Sequence, residues 1–168
     1  MWMMPPVSGL RLIARSSRAA DNRAFSAVEL MLTVSVLGIL MAVGVPAFLS
    51  YWRSAELQGG AQELATILNR ARQLAIAQNT TVCVNQSANK VQLVIGGCGG
   101  TVWLGPGTNG AGWFTLQNSI NVSSTTANVV FNYLGAAPTA GVYTVENPLN
   151  SSTMSVTVAL SGRVTIGP

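Results

Sequence analysis

Side chains able to do covalent or acid–base chemistry are scarce in this 168-residue chain. It has no histidine and only five acidic residues, and no base stands in an obvious pairing with its serines and threonines. A nucleophilic hydroxyl needs such a base, and a phosphate-binding loop needs a lysine after its glycines, which the glycine-rich tract 96–100 does not have. The sequence therefore predicts no catalytic residue, no cofactor and a function other than catalysis.

Cys83 and Cys98 are the only cysteines. In an exported protein they can form a disulfide, and closing a loop of about fifteen residues would stabilise the fold by roughly 3 kcal/mol. The alternative is a pair of buried thiols. A metal site is not predicted, because the chain has no histidine and no carboxylate stands near either cysteine in the sequence.

Glu29 has the most unusual position of the acidic residues, because twenty uncharged residues follow it, from Leu30 to Leu49. Only Thr33 and Ser35 are polar in this segment. At about 1.5 Å per residue, a helix of this length crosses a bilayer core of roughly 30 Å. An ionised carboxylate beside hydrocarbon is costly and calls for a partner. The sequence predicts a membrane helix with an acidic residue at its start.

Residues 1–24 form a basic leader with a net charge of +3, out of +4 for the whole chain. Positive residues that flank a first membrane helix stay in the cytoplasm, so the remainder is expected in the periplasm of a bacterium. A mitochondrial transit peptide has a similar composition but leaves the apolar segment unexplained. Since the charge belongs mostly to the leader, it does not favour nucleic-acid binding.

The junction between leader and helix carries a further pattern. Phe25 follows Ala24, Glu29 is the fifth residue counted from Phe25, and Pro46 interrupts the apolar segment. The pattern resembles the class III leader of type IV pilins and pseudopilins, in which Gly usually stands where this chain has Ala24. The resemblance implies that prepilin peptidase cuts between Ala24 and Phe25 and that the new amino group of Phe25 is methylated.

The same resemblance gives Glu29 a role in filament assembly, by pairing with the N-terminal amine of a neighbouring subunit. The alternative is that Glu29 only reaches the membrane surface. Pro46 removes a helical hydrogen bond and by itself predicts a kink. Gly38 is a second point at which pilin helices loosen, although it could equally serve as a small residue at a helix contact.

From residue 53 to residue 79 the helical pattern becomes amphipathic, which predicts an apolar stripe packed on the chain's own sheet. Glu56, Glu63 and Arg70, spaced seven apart, predict a separate and wetter face, and Gly59-Gly60 is a point at which the helix could bend. The helix is expected to end near Asn79. The residues of the stripe are Leu57, Ala61, Leu64, Leu68, Ala71 and Ala75.

Residues 80–168 change to a period of two, which predicts a β-rich head. The fold class is therefore α+β, with a long N-terminal helix, transmembrane over residues 25–52, packed on a mostly antiparallel sheet, as in type IV pilins. The predicted strands are 80–84, 91–95, 112–116, 128–133, 142–145 and 155–166, the last one broken into a hairpin at Ser161-Gly162.

Short segments of this half are similar to the GspH/FimT branch of the pilin superfamily. They are residues 69–75, Trp103 with 112–114, residues 131–135 and residues 160–164. The branch implies a minor pseudopilin of the type II protein secretion system, near the tip of its pseudopilus. The close alternative is a FimT-like minor pilin of a type IV pilus, in assembly, adhesion or DNA uptake. A different class is a permanently anchored periplasmic binding domain.

DNA uptake in this branch involves a C-terminal Gly-Arg-x-Arg segment, of which this chain has only the first arginine, Arg163. Arg70, Arg72 and Lys90 are too few and too separated to form a phosphate-binding patch. Trp103 and Trp113 are expected to pack in the core or loops instead of stacking on bases. Nucleic acid is not a favoured partner.

The resemblance also implies a location and a set of partners. The precursor is expected to cross the bacterial inner membrane once, with its N-terminus cytoplasmic and its head periplasmic, and then to join a periplasmic filament. The implied partners are prepilin peptidase, other pseudopilins or pilins through the N-terminal helix, the inner-membrane assembly platform, and membrane lipid before assembly.

Overall fold

The computed structural model describes residues 26–117, 120–124 and 128–167. The leader and the expected cleavage site at Ala24 and Phe25 lie outside this part of the chain. The described residues form one helix, α1 (Ala27–Ala77), and nine strands. The strands are β1 (Val82–Ser87), β2 (Lys90–Ile95), β3 (Thr101–Val102), β4 (Trp113–Thr115), β5 (Asn121–Ser124), β6 (Val130–Phe131), β7 (Gly141–Asn147), β8 (Ser152–Val158) and β9 (Val164–Gly167).

Helix α1 belongs to two compact units, one ending at Met41 and one beginning at Ala42. In the second unit, the apolar stripe predicted from the sequence is confirmed, because each of its six residues is at most 5% exposed. The helix continues through Pro46 and through Gly59-Gly60. It ends at Ala77, close to the predicted end, and Asn79 has a positive φ of 48°, the left-handed conformation with which helices commonly terminate.

The strands form two antiparallel sheets, whereas the sequence predicted a single sheet. The first sheet has the order β3-β2-β1-β6, with β4 also paired to β2, and the second has the order β5-β7-β8-β9. Strands β3 and β5 were not predicted, because β3 has two residues after a glycine-rich tract and β5 is short and mostly polar. Strand β3 pairs with the preceding strand β2, whereas β5 pairs with β7, which is distant in sequence and which local periodicity cannot reveal.

One hydrophobic core joins the helix and both sheets of the second unit. Leu64 and Leu68 of α1 meet Leu93 of the first sheet and Val145 and Val156 of the second in the same buried cluster. Strand β7 alternates strictly between buried and half-buried residues, as expected for a strand with one face on the core. The stripe of α1 therefore holds the head on the helix.

Candidate assembly interface

The first half of α1 carries a continuous exposed apolar surface. Helix α1 is long and apolar enough to cross a membrane, and its most apolar 18-residue window has a mean hydropathy of 2.3 and no buried residue. Large side chains from Val28 to Trp52 are exposed throughout this part of the helix. A surface of this size, far larger than the apolar patches of soluble monomers, requires lipid or other protein to cover it.

The two hydroxyl groups within this surface are already satisfied by the helix. Thr33 donates a hydrogen bond to the carbonyl oxygen of Leu30 at 2.8 Å, and Ser35 donates to that of Met31 at 2.7 Å. Such bonds to the preceding turn let serine and threonine enter an apolar environment without an unpaired donor. The surface is therefore compatible with hydrocarbon despite its two polar residues.

Glu29 lies in the first turn of α1 and is exposed. Ser26 caps this end of the helix, because its hydroxyl oxygen accepts a hydrogen bond from the backbone N–H of Val28 at 3.4 Å, and its carbonyl oxygen accepts one from the N–H of Leu30 at 3.0 Å. A carboxylate in the first turn is stabilised by the helix dipole. Within residues 26–52, Glu29 is the only acidic or basic side chain.

Gly38 and Pro46 both lie inside α1. A β-carbon added at Gly38 would meet no atom within 4 Å, so the glycine leaves room on the exposed surface for a close neighbour. Pro46 is surrounded by helical residues on both sides. A loosened helix at these two positions stays a prediction.

At the head end of the exposed surface, Glu56 connects the helix to the second sheet. One carboxylate oxygen accepts a hydrogen bond from the indole Nε1 of Trp52 at 2.7 Å, and the other accepts one from Nδ2 of Asn147 at 3.4 Å. Asn147 is buried at the end of β7. Glu56 is half-buried and thus more exposed than the apolar stripe, as the sequence predicted, and it also binds the head.

The other two residues of that predicted face also bind the head. Glu63 accepts a hydrogen bond from the backbone N–H of Gln117 at 3.0 Å. Arg70 donates one to the carbonyl oxygen of Pro106 at 2.8 Å, and its guanidinium lies 5.2 Å from the ring centre of Trp103. Residues seven apart lie on the same face of a helix, so Glu56, Glu63 and Arg70 form a row of polar side chains, each of which binds the head.

Trp103 packs within the head, as the sequence predicted for this residue. Its ring stacks on Phe114 at 5.9 Å between centroids, and the Arg70 guanidinium covers both rings.

Arg72 contacts two glycine turns that are distant in sequence. A β-carbon at Gly135 would lie 3.0 Å from Nε of Arg72, and one at Gly162 would lie 3.3 Å from the same atom. Both glycines have positive φ, 77° and 76°. This Nε is buried and has no hydrogen-bond partner among the described residues. Three of the segments that resemble the GspH/FimT branch thus meet at one place.

Cys83 and Cys98 form a disulfide with their Cα atoms 4.9 Å apart. Cys83 is fully buried in β1, whereas Cys98 lies in the exposed glycine-rich loop between β2 and β3. The bond therefore ties this loop to the centre of the first sheet.

Arg163 is exposed and lies in the turn between β8 and β9, directly before β9, although the predicted strand 155–166 included its position. It adjoins Gly162 and hence the surroundings of Arg72. Lys90 begins β2, on the turn that follows β1. No group of three or more His, Cys, Asp or Glu residues that could hold a metal ion occurs in the described ranges.

The head matches the model of a known protein family. Residues 60–162 match the model of a family described as type II transport protein GspH. The matched range contains the disulfide, the Arg70 contacts and both glycine turns. No curated protein matches the chain at comparable significance.

Two kinds of solved structure are similar. The minor pseudopilin EpsH from the type 2 secretion system of Vibrio cholerae has 12% identity and a TM-score of 0.51, over 66% of this chain and 95% of that one. The type IV minor pilin FimU of Pseudomonas aeruginosa has 17% identity and a TM-score of 0.48, over 67% of this chain and 93% of that one. The EpsH likeness confirms the predicted fold class.

Proposed function

This chain belongs to the GspH family of type II transport proteins, and on that basis we propose that it is a minor pseudopilin of a type II protein secretion system. It is a structural subunit of the pilin and pseudopilin superfamily. In the proposed function, a precursor in the bacterial inner membrane is cut by prepilin peptidase and drawn by the assembly platform into the periplasmic pseudopilus, near its tip.

The observation that carries the proposal is the exposed apolar surface of α1 joined to a compact head. The head buries its own half of the helix, but nothing in the described chain covers the residues from Val28 to Trp52. In the precursor this surface lies in lipid, and in the filament it packs against the same surface of other pseudopilins. The two environments are interchangeable because both are apolar.

Glu29 supplies the specificity that an apolar surface cannot. Cleavage between Ala24 and Phe25 creates an amino cation four residues before the carboxylate. Inside a bundle of helices, where water is excluded, an unpaired carboxylate is costly, and the amine of a neighbouring subunit offsets this cost. A subunit that is uncut, or displaced along its neighbour, leaves the carboxylate unpaired.

Replacing Glu29 by Ala tests this role. E29A is expected to enter the membrane and to be cleaved, but to be recovered in sheared filaments at a level at least about tenfold lower, since removing one partner of a buried ion pair costs several kcal/mol. The matched control is E146A in the head, which removes an equal charge outside α1. Normal recovery of E29A in filaments would contradict the assembly role of Glu29.

Intact-mass analysis tests the processing step. The proposal requires a mature chain that begins at an N-methylated Phe25, and A24G is expected to be cleaved at least as completely, because glycine is usual before the cut in related leaders. A chain that keeps residues 1–24 in its functional form is instead a permanently anchored domain.

The filament with which the chain is recovered identifies its system. Recovery with type IV pili instead of secretion pseudopili would identify the chain as a minor pilin.

A further inference from the structure

The exposed aromatic residues of α1 are grouped at the head end of the apolar surface. Phe48, Tyr51 and Trp52 are all exposed, and the rings of Phe48 and Trp52 lie 6.0 Å apart. Arg53, the first basic residue after the leader, follows directly. Tryptophan and tyrosine are enriched where a membrane helix passes from hydrocarbon to headgroups, because their rings are apolar and their edges are polar.

The side chain of Trp52 has the orientation expected at the boundary between hydrocarbon and headgroups. Its indole Nε1 donates to Glu56, one turn further towards the head, and its ring contacts Phe48, one turn further into the apolar segment. The polar edge thus points to the head side and the apolar body to the membrane side.

A turn of the head lies at the same level. Asn147, which donates to Glu56, ends β7, and its side-chain oxygen accepts a hydrogen bond from the backbone N–H of Leu149 at 3.0 Å. Leu149 itself is 74% exposed at this turn between β7 and β8. Three hydrogen bonds therefore connect the exposed Leu149 to Trp52, by way of Asn147 and Glu56.

From these contacts we infer that Phe48, Tyr51, Trp52 and Leu149 form a membrane-boundary surface, on which the head sits at the headgroup–acyl boundary of the periplasmic leaflet. The surface is continuous with the exposed apolar helix, which supplies the reason why lipid is its occupant. Glu56 positions it by holding Trp52 and Asn147 together. The inference rests on the membrane anchoring in the proposed function and adds that the head, too, contacts lipid before assembly.

The test uses the full-length protein in phosphatidylcholine vesicles that contain lipids brominated either near the headgroup or near the end of the acyl chain. In a background with every tryptophan replaced by Phe, single reporters are introduced as L149W, L160W and L40W. Leu160 is the matched control, because at 66% its exposure is similar to that of Leu149. It lies at the other end of the head, near Arg72, where its carbonyl oxygen accepts a hydrogen bond from the N–H of Ala137. Glu56 and Arg72 are separated by about 24 Å along α1.

We expect shallow bromines to quench L149W several-fold more than L160W, and deep bromines to quench L40W. Equal, weak quenching of L149W and L160W, with L40W quenched normally, overturns the membrane-boundary surface but leaves the anchored subunit intact. An unquenched L40W overturns both, because the helix is then not inserted.

A second measurement avoids dependence on the tryptophan-free background. A photoreactive amino acid at position 149 or 160 of the otherwise unchanged chain is activated in inner membranes, and lipid adducts are detected by intact mass. Adducts at 149 and not at 160 support the inference. Adducts at 149 only with protein show that a neighbouring subunit is the occupant and overturn it.

Discussion

Tyr143 is the largest fully buried side chain of the head and connects its two sheets. From β7 its hydroxyl donates to the carbonyl oxygen of Val84 in β1, and it accepts the N–H of Val129, both at 3.3 Å. Burial disfavours the phenolate and raises the pKa of Tyr143 from 10.0 to about 12, against the opposing effect of the Val129 hydrogen bond.

This pKa shift predicts a pH-dependent loss of stability. The unfolded chain releases the phenolic proton near pH 10.0, whereas the native chain keeps it until about pH 12. The native state therefore binds more protons between these values, and stability, fully present below pH 10.0, falls as the pH rises to about 12. The expected loss is about 3 kcal/mol. Urea unfolding of the detergent-solubilised protein, followed by circular dichroism, measures it.

The control is Y143F, which has no proton to release. It should be less stable than the wild type near neutral pH, because Val84 and Val129 lose a partner, but its stability should fall less steeply over the same pH range. Parallel curves for the two proteins would show that another group causes the alkaline loss.

At the scale of the element, α1 contains two adjacent glycines with opposite surroundings. A β-carbon at Gly59 would meet nothing within 4 Å, whereas one at Gly60 would collide with the side chain of Ile120. The pair was expected as a point at which the helix could bend, yet the helix is continuous there. Gly60 is needed because it lets α1 approach the segment before β5 closely.

The pair therefore predicts substitutions of opposite sign. G59A should raise the free energy of unfolding by up to about 1 kcal/mol, since alanine favours an exposed helix over glycine. G60A should lower it by up to about 2 kcal/mol, because the cost of displacing the fully buried Ile120 exceeds the same gain in helix propensity. Thermal unfolding of both variants checks the contrast, and equal shifts of one sign would argue against the close packing at Gly60.

The elements differ in how far the sequence could predict them. All six residues predicted for the apolar stripe of α1 are buried, because helical periodicity is a local signal, but Gly60 and Ile67 of the same buried face were not included. The hairpin of β8 and β9 was equally visible, since Gly162 supplies the positive φ of its turn. Strand β5 was not visible, because it is paired to β7 across some twenty residues of chain, and its own four residues hold a single buried valine.

At the scale of the molecule, the same limits apply to the candidate interface. The apolar segment and Glu29 stand out in the sequence because a bilayer imposes a length and a composition that soluble proteins do not need. The contact of Glu56 with Asn147 could not be predicted, since it joins residues 91 positions apart. Composition indicates which face of a helix is polar, but the fold decides whether that face meets water or protein.

Because the head packs on the second half of α1, folding of the head decides how much apolar surface this helix exposes. While the head is folded, the stripe of α1 is buried, and only the first half of the helix exposes a continuous row of large apolar side chains. If the head lies in the periplasm, as proposed, its unfolding would expose Leu64 and Leu68, which are fully buried in the folded protein. Proteases and chaperones that recognise apolar segments would then bind the exposed stripe. A subunit with an unfolded head would thus be recognised while its helix is still in the membrane.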